Sequence, residues 1–316
     1  MIQTIAQEAL PCDESLSIKK KRIAPSRADL SKCKRISIVT GTHGDELEGQ
    51  YVCWLIQKRI NENPEYLSGI VDIYPAINPI GIDSITRGIP AFDLDMNRMF
   101  PGDKNGSMLE RVANGIVTDL QESDVCIDIH ASNIYLTEIP QVRINTIFEK
   151  ELVPIAEKIN IDLIWVHPSA TVLESTLAHS MNAIGVPTLV VEMGVGMRIT
   201  KSYCEQLTDG IFNLMADLGI WSGSVNPVRK PMTVYDSDPI SFLNAERSGL
   251  FVADTKHWVN VKKGQKIGDI LDPLSGEVLT TVAADCDGVL FTIREYPIVD
   301  EGSLIGRILP GRELKL

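Results

Sequence analysis

The sequence contains no long apolar segment and no recognisable targeting signal. No apolar run approaches the roughly 20 residues that a membrane-spanning helix needs. Residues 1–8 contain no basic stretch and lead into no long apolar core, so we expect no secretory signal peptide. These absences predict a cytoplasmic protein that has no membrane partner.

Paired cysteines and a basic surface are also lacking. The six cysteines are scattered and form no CxxC pair, which argues against a disulfide framework and against a thiolate zinc site in a chain of this length. The net charge of −12 argues against nucleic-acid binding, which needs a basic footprint. Local positive charge inside a cleft still allows an anionic substrate. The cysteines are Cys12, Cys33, Cys53, Cys126, Cys204 and Cys286.

The order of strands and helices predicts the fold class. The chain has 316 residues, 44% of them hydrophobic, which suffices for one large domain and a small second one. Up to Trp221, apolar strands alternate with helices, which predicts an α/β fold whose mixed sheet is flanked by helices. Residues 222–227 are linker-like, and short strands with many turn signals follow. We therefore expect an α/β domain over residues 1–222 and a small, barrel-like all-β domain over residues 223–316.

Two features of the first domain lie outside this alternating pattern. Residues 15–23 include the basic run Lys19–Arg22, which we interpret as the charged face of an edge strand that discourages pairing between sheets. Residues 76–105 are rich in proline, glycine and aspartate and predict a long loop. A loop of this length in a compact domain is usually functional.

A candidate metal site follows the predicted strand at residues 36–40. The strand runs into Gly-Thr-His-Gly-Asp-Glu at residues 41–46, where the glycines allow a sharp turn. His43 and Glu46 emerge from this turn three positions apart. An imidazole and a carboxylate at this spacing can reach one zinc ion. Two ligands leave a catalytic site incomplete, so we expect a third ligand elsewhere in the chain.

His130 is the predicted third ligand, because it also ends a buried apolar strand. In open α/β sheets, sites form at the edge where the strands end. Asp128 shares a face with His130 and can accept a hydrogen bond from its ring. Two histidines and one carboxylate leave a fourth position for water, which is typical of catalytic zinc. Ordinary core or rim positions are favoured for His167, His179 and His257, with the cleft wall as an alternative for the first two.

A metal hydrolase also needs a base and groups that hold its substrate. Glu192 ends an apolar run, where a carboxylate needs either a catalytic role or an ion pair. Asn97 and Arg98 place an amide beside a guanidinium, and together they can bind a substrate carboxylate. Arg87 can polarise the scissile carbonyl and hold the developing oxyanion. For both arginines the alternative is a salt bridge to an aspartate of the same loop.

Four motifs in order resemble those of a known family. They stand at residues 41–46 (Gly-Thr-His-Gly-Asp-Glu), 93–102 (Asp-Leu-Asp-Met-Asn-Arg-Met-Phe-Pro-Gly), 128–132 (Asp-Ile-His-Ala-Ser) and 191–194 (Val-Glu-Met-Gly). As a set they resemble the succinylglutamate desuccinylase/aspartoacylase family, a branch of the zinc carboxypeptidase superfamily, over roughly residues 35–220. The resemblance implies a zinc-carboxypeptidase-like α/β domain, and the C-terminal region is similar to the barrel that this family appends.

The resemblance also implies roles for the candidate residues. It implies one zinc ion per chain, bound by His43, Glu46 and His130. It implies that Glu192 is the base that activates the zinc-bound water and then protonates the leaving amine. It implies that Asn97 and Arg98 bind the substrate carboxylate, while Arg87 polarises the carbonyl. The family reaction is hydrolysis of an N-acyl amino acid, or a related small N-acyl amine, to a carboxylate and a free amine.

The C-terminal region has a second interpretation, because residues 261–270 and 287–290 look similar to a lipoyl or biotinyl carrier barrel. Carrier versions have a lysine at the tip of the hairpin, and the hairpin predicted at residues 272–277 has none. We therefore expect no lipoylation or biotinylation. A structural role is favoured: capping the cleft, limiting substrate size or joining subunits in a homo-oligomer.

Three alternatives compete with the leading hypothesis of a zinc-dependent amidohydrolase. The first is a metallocarboxypeptidase acting on short peptides. The second is a non-catalytic zinc-binding module, against which the presence of Glu192 argues. The third is a metal-free structural protein, which the analysis of bound metal would test.

Overall fold

The protein, described here from a computed structural model, has an α/β fold built on one large mixed sheet. The structure describes residues 1–10, 13–26, 28–90, 94–168 and 174–314. Cys12 and Asp93, which belong to patterns noted above, lie outside these ranges. Helices cover the sheet, and a separate antiparallel sheet lies in the C-terminal region. The predicted fold class is therefore confirmed.

The first two-thirds of the chain alternates strands and helices as the sequence predicts. Among the described residues, no helix combines the length and the apolar character needed to cross a bilayer. The strands are β1 (Ile2–Ala9), β2 (Ser15–Ile23), β3 (Arg35–Thr40), β4 (Ile70–Tyr74), β5 (Val125–Ala131), β6 (Leu136–Asn145), β7 (Leu163–His167) and β8 (Thr188–Gly194), and the helices are α1 (Glu48–Glu62), α2 (Pro79–Ser84), α3 (Met108–Leu120), α4 (Glu149–Ala156), α5 (Leu177–Ala183) and α6 (Lys201–Asp217).

The centre of the sheet is parallel and buried on both faces. β3 pairs with β4 on one side and with β5 on the other, and β5 pairs with β8, all in parallel. Side chains such as Ile36, Ile38 and Ile127 are fully buried there. β-Branched residues suit this position because strands covered on both faces read as continuous apolar runs. The strands therefore end at one common edge, and this edge carries the candidate site.

The region predicted as a long loop, residues 76–105, contains local structure. It includes α2 and a one-turn 3-10 helix at Met96–Arg98, and Ile89 pairs with Leu94 in an isolated bridge. The loop also contacts the turn after β3, because the amide of Gly44 donates to the carbonyl of Arg87 at 3.2 Å. The loop is thus held over the edge where the parallel strands end.

The C-terminal region is all-β, as predicted, but its strands belong to two sheets. One is a separate sheet formed by four strands in the order Glu277–Ala283, Lys266–Asp272, Gly249–Ala253 and Ile298–Val299. The large sheet continues into this region, because Gly288–Arg294 pairs antiparallel with β6 and Met232–Val234 pairs with β7. The boundary expected between residues 222 and 223 stays a prediction. The strands are β9 (Met232–Val234), β10 (Ser241–Asn244), β11 (Gly249–Ala253), β12 (Val259–Val261), β13 (Lys266–Asp272), β14 (Glu277–Ala283), β15 (Gly288–Arg294), β16 (Ile298–Val299) and β17 (Leu304–Pro310).

The interpretation of residues 15–23 as an edge strand is wrong. β2 lies between β1 and β4, so it has neighbours on both sides. The side chain of Lys20 is buried and forms ion pairs with Asp72 of β4 at 3.1 Å and with Asp119 of α3 at 2.6 Å. The sequence does not reveal these ion pairs, because the two aspartates lie 52 and 99 residues from Lys20 along the chain. Lys20 and Arg22 of the basic run thus provide counter-charges for the buried Asp72, and Lys20 also pairs with the partly exposed Asp119.

We expect Asp72→Asn to destabilise the fold by about 3–5 kcal/mol near neutral pH, because it removes a fully buried counter-charge from three cations at once. Asp72 is fully buried and forms ion pairs with Lys20, Arg22 and Arg35. Burial opposes its charge, but the hydrogen bond from Arg22 and the nearby charges of Arg35 and Lys20 lower the pKa of the Asp72 carboxyl. Urea unfolding measures the effect.

The sign of the pH dependence follows from this lowered pKa. The stability that Asp72 contributes is fully present above its unfolded-state pKa of about 4 and is lost as the pH falls through the folded-state value. The difference between the wild type and Asp72→Asn should therefore shrink below about pH 4. Asp83→Asn, at an exposed position, is the control and should stay within about 0.5 kcal/mol of the wild type. An equal loss in both variants would contradict the prediction.

Candidate metal centre and active site

Two histidines and one carboxylate converge where β3 and β5 end. Potential ligand atoms of His43, Glu46 and His130 all lie within 4.8 Å of one another, and the three residues are buried. Nδ1 of His43 lies 2.7 Å from Oε1 of Glu46, and Nδ1 of His130 lies 2.9 Å from Oε2 of the same carboxylate. The structure thus brings together the three ligands that the sequence predicts.

Strand pairing and close backbone contact place these residues. β3 and β5 are parallel neighbours, so the turn after β3 lies beside the end of β5. Gly44 is required in this turn, because a Cβ there would lie 2.0 Å from the carbonyl carbon of Gly81. Gly41 has φ +68°, a conformation that glycine adopts at little cost. The two glycines therefore let His43 and Glu46 enter a tightly packed site.

A carboxylate lies near the second nitrogen of each imidazole. Nε2 of His43 lies 3.1 Å from Oδ1 of Asp95, and Nε2 of His130 lies 3.2 Å from Oδ2 of Asp128. Such partners fix the orientation and the tautomer of a liganding histidine. The sequence predicts this role for Asp128 but not for Asp95, because a position within a long loop does not reveal which strand end it contacts. Burial opposes charge on Asp95, and the hydrogen bond with His43 lowers its pKa to about 2.

The electrostatics of the three candidate ligands are coupled. Burial would raise the pKa of Glu46, but the two neighbouring histidines hold it well below its ordinary range. Burial would lower the pKa of His43 and His130, but the surrounding carboxylates raise both. An ionised carboxylate and two imidazole nitrogens are donors that zinc prefers, and they leave a fourth position for water. The residues therefore fit a catalytic divalent metal, whose binding would displace protons from the histidines.

Glu192 lies beside this cluster on the neighbouring strand. Its Cα is the register partner of His130 in the pairing of β8 with β5, and both residues line one cavity. Burial raises the pKa of the Glu192 carboxyl, while the charges of Arg143 and His130 work in the opposite direction. A raised pKa brings a carboxylate closer to the range in which it exchanges protons efficiently near neutral pH.

The structure adds Arg143, which the sequence analysis does not single out. Its Nη1 lies 3.5 Å from Oε1 of Glu192, and its Nη2 donates to Oε2 of Glu138 at 2.8 Å. An arginine inside the apolar pattern of β6 is the signal that could have revealed it, because a buried charge needs a partner or a role.

The cavity is also lined by Asn97 and Arg98, predicted to bind substrate, and by Arg87, predicted to polarise the carbonyl. Arg87, with a side chain 46% exposed, donates from Nη1 to Oε1 of Glu46 at 2.8 Å. Oδ1 of Asn97 accepts from the backbone amide of Leu177 at 2.9 Å, which fixes the orientation of its side-chain amide. Arg98 donates to the backbone carbonyl of Asn97, and its Nη2 lies 3.8 Å from Asp95.

Two cavities meet at this centre. The first, of about 330 Å³, extends from His43 and Asn97 to His167 and His179, which therefore line the cleft. The second, of about 460 Å³, lies towards Glu46 and residues 131–138 and includes Arg307 of the C-terminal region. Arg87, Arg143 and Glu192 line both. His257 lines neither cavity; its Nε2 lies 2.9 Å from the hydroxyl of Tyr203.

Known proteins resemble this chain over most of its length. N-alpha-acetyl-L-2,4-diaminobutyric acid deacetylase of Halomonas elongata is 27% identical over 283 residues, which cover 85% of this chain and 80% of that protein. The crystal structure of a succinylglutamate desuccinylase/aspartoacylase from Rhodobacter sphaeroides has a TM-score of 0.77 at 21% identity, covering 97% of this chain and 95% of the other. The product-bound ectoine utilization protein EutE (DoeB) of Ruegeria pomeroyi has a TM-score of 0.77 at 18% identity, covering 96% and 92%. At these identities the two structures show the fold.

The family follows from the sequence match. Residues 32–218 match the profile described as the succinylglutamate desuccinylase/aspartoacylase catalytic domain. This match covers more than half of the chain and runs from just before β3 to the end of α6, so it includes every candidate site residue. The chain therefore belongs to the succinylglutamate desuccinylase/aspartoacylase family.

Proposed function

We propose that the protein is a zinc-dependent amidohydrolase that removes the acyl group from an N-acyl amino acid or a related small N-acyl amine. The observation that carries the proposal is the convergence of His43, Glu46 and His130 beside Glu192 at one sheet edge. Membership of a family named for desuccinylase and aspartoacylase supports it. So does the 27% identity to a protein named as a deacetylase of an N-acetyl amino acid.

His43, Glu46 and His130 would hold one zinc ion per chain. The bound ion would supply Lewis acidity for the scissile carbonyl and for the attacking water. Asp95 and Asp128 orient the two imidazoles through their second nitrogens. The protein thus holds the ligand set in place before any substrate arrives.

Glu192 is the proposed general base and general acid. It accepts a proton from the attacking water and returns a proton to the nitrogen of the leaving amine, which departs as a free amine. Its position beside His130 and its raised pKa both suit this exchange. Arg87 faces both cavities from the rim of the site, where its guanidinium can stabilise negative charge developing on the carbonyl oxygen.

The two cavities suit a substrate that extends to both sides of the scissile amide. Asn97 and Arg98 lie in the first cavity, so we assign the amino-acid half and its carboxylate to that side. The second cavity, which contains Ser132 and Tyr135, then receives the acyl half. Hydrolysis of a panel of N-acyl amino acids, with peptides included, tests this assignment through the free amine released. Exclusive cleavage of peptides would identify a carboxypeptidase and contradict the proposal.

We expect the protein to bind one zinc ion per chain and His130→Ala to lose stoichiometric binding. Asp95→Asn should weaken zinc binding by about 10- to 100-fold, because it removes the group that orients His43. Metal analysis after dialysis and calorimetric titration measure both effects. His257→Ala, which changes a histidine outside both cavities, is the matched control. Unchanged zinc binding by His130→Ala would refute the assigned ligands.

Glu192→Gln should lower kcat by about 10²- to 10⁴-fold, which is the usual contribution of general acid–base catalysis. Its zinc content should equal that of the wild type, because the variant keeps all three proposed ligands. Steady-state kinetics and metal analysis on the same preparation test this pair of expectations. Glu205→Gln, on the exposed face of α6, is the control. Turnover near the wild-type rate would remove Glu192 from the mechanism.

Arg98→Ala should lower kcat/KM for N-acyl amino acids by about 10- to 100-fold, because a hydrogen bond to a charged group contributes about 1.5–3 kcal/mol. The loss should be much smaller for N-acyl amines that lack the carboxylate. Measuring kcat/KM for each N-acyl amino acid and for its decarboxylated analogue, in the wild type and in Arg98→Ala, isolates this interaction. Equal losses for both substrates would show that Arg98 does not bind the carboxylate.

A further inference from the structure

Arg143 lies between two carboxylates in the wall that the two cavities share. One side of its guanidinium faces Glu192, with Nη1 at 3.5 Å from Oε1, and the other side donates to Glu138 at 2.8 Å. Within the described part of the chain, Arg143 is the only lysine or arginine whose side chain lies within 4.0 Å of the Glu192 carboxylate. Arg143 is therefore the one described lysine or arginine that forms an ion pair with the proposed base.

The strand register explains this contact. β6 and β8 are antiparallel neighbours, with Arg143 opposite Val190 and Gln141 opposite Glu192. Residues two apart on a strand share a face. The side chain of Arg143 therefore reaches Glu192 diagonally across the pair, a distance that a long side chain can bridge.

A second arginine, Arg307, shares the carboxylate partner Glu138 with Arg143. The carboxylate of Glu138, only 1% exposed, accepts from Arg143 through Oε2 and from Arg307 of β17 through Oε1 at 2.5 Å. Both guanidiniums also lie over the ring of Trp165, at 6.0 Å and 5.7 Å from its centroid. Cation–π contacts of this kind add to the ion pairs. The C-terminal strand β17 thus connects to the proposed base through a chain of charged contacts.

We propose that Arg143 is a positioning residue that holds Glu192 in its catalytic orientation, and that Glu138 and Arg307 fix Arg143 in turn. The inference rests on the proposed role of Glu192. The closest approach between the two side chains joins Nη1 of Arg143 to Oε1 of Glu192, at 3.5 Å. Through Arg307, the C-terminal region then contributes to catalysis by orienting the base.

The kinetic test uses Arg143→Ala and Arg143→Lys in the zinc-loaded enzyme. We expect Arg143→Ala to lower kcat by roughly 10²-fold with little change in KM, because a displacement of a catalytic group by about 1 Å costs this much. Arg143→Lys keeps the positive charge but lacks the planar set of guanidinium donors, and it should retain more activity than Arg143→Ala. Arg247→Ala, at an exposed position, is the matched control and should retain wild-type kinetics. A raised KM at unchanged kcat would show instead that Arg143 binds substrate.

Chemical rescue separates positioning from a general structural role. Guanidinium at low millimolar concentration should restore part of the kcat of Arg143→Ala, whereas sodium at equal ionic strength should not. The same addition should leave Glu192→Gln inactive. Arg307→Ala should lower kcat by a smaller factor in the Arg143→Ala background than in the wild type, because the two arginines act through one carboxylate. Absence of rescue together with full additivity would overturn the proposal.

A crystal structure of Arg143→Ala provides a test that needs no substrate. The carboxylate of Glu192 should move, while His43, Glu46 and His130 keep their geometry and the zinc content stays at one per chain. An unmoved Glu192 would overturn the inference. If the wild-type enzyme cleaves no N-acyl substrate, the proposed function fails by itself, and this structure still decides whether Arg143 positions Glu192.

Discussion

The candidate site depends on one buried carboxylate. Glu46 lies between two imidazoles, with one oxygen near His43 and the other near His130. A buried carboxylate without partners would be costly, so the turn after β3 must meet the end of β5 at hydrogen-bond distance. Parallel pairing of these strands meets that requirement, since it brings their carboxyl ends to one edge. The position of the site within the fold follows from this pairing.

Buried carboxylates that need charged partners also connect distant segments at two other places in the molecule. Asp72 is surrounded by three cations from β2 and β3, and Glu138 by two cations from β6 and β17. In each case one buried carboxylate joins segments that lie far apart in the chain. Removing the central carboxylate would take a counter-charge from every cation around it. The first group ties the N-terminal strands to the centre of the sheet, and the second ties the C-terminal strand to the site.

The C-terminal region contributes to the sheet and to the cavity wall. β15 pairs with β6, which in turn pairs with β8, the strand that carries Glu192. Arg307 lines the second cavity together with Glu46 and Glu192. A region that resembles an appended barrel in sequence is therefore continuous with the structure around the proposed base. Changes in this region can act on the site through the sheet as well as through the cavity.

The sequence alone determined the local parts of this site. The apolar strands, the helices between them and the three-residue spacing of His43 and Glu46 depend on neighbouring residues, and patterns of neighbours are visible in a sequence. The ends of buried strands also indicated His130 and Glu192. The α/β class and the all-β C-terminal region followed from the same periodicities.

Only the tertiary structure decided which distant side chains meet. The pairing of Asp95 with His43, the contact of Arg143 with Glu192 and the burial of Lys20 each join residues about 50 or more positions apart. Their partners depend on strand order and register, which local patterns do not specify. For this reason β2 looked like a charged edge strand in the sequence, whereas in the fold its Lys20 pairs with the buried Asp72 and with Asp119.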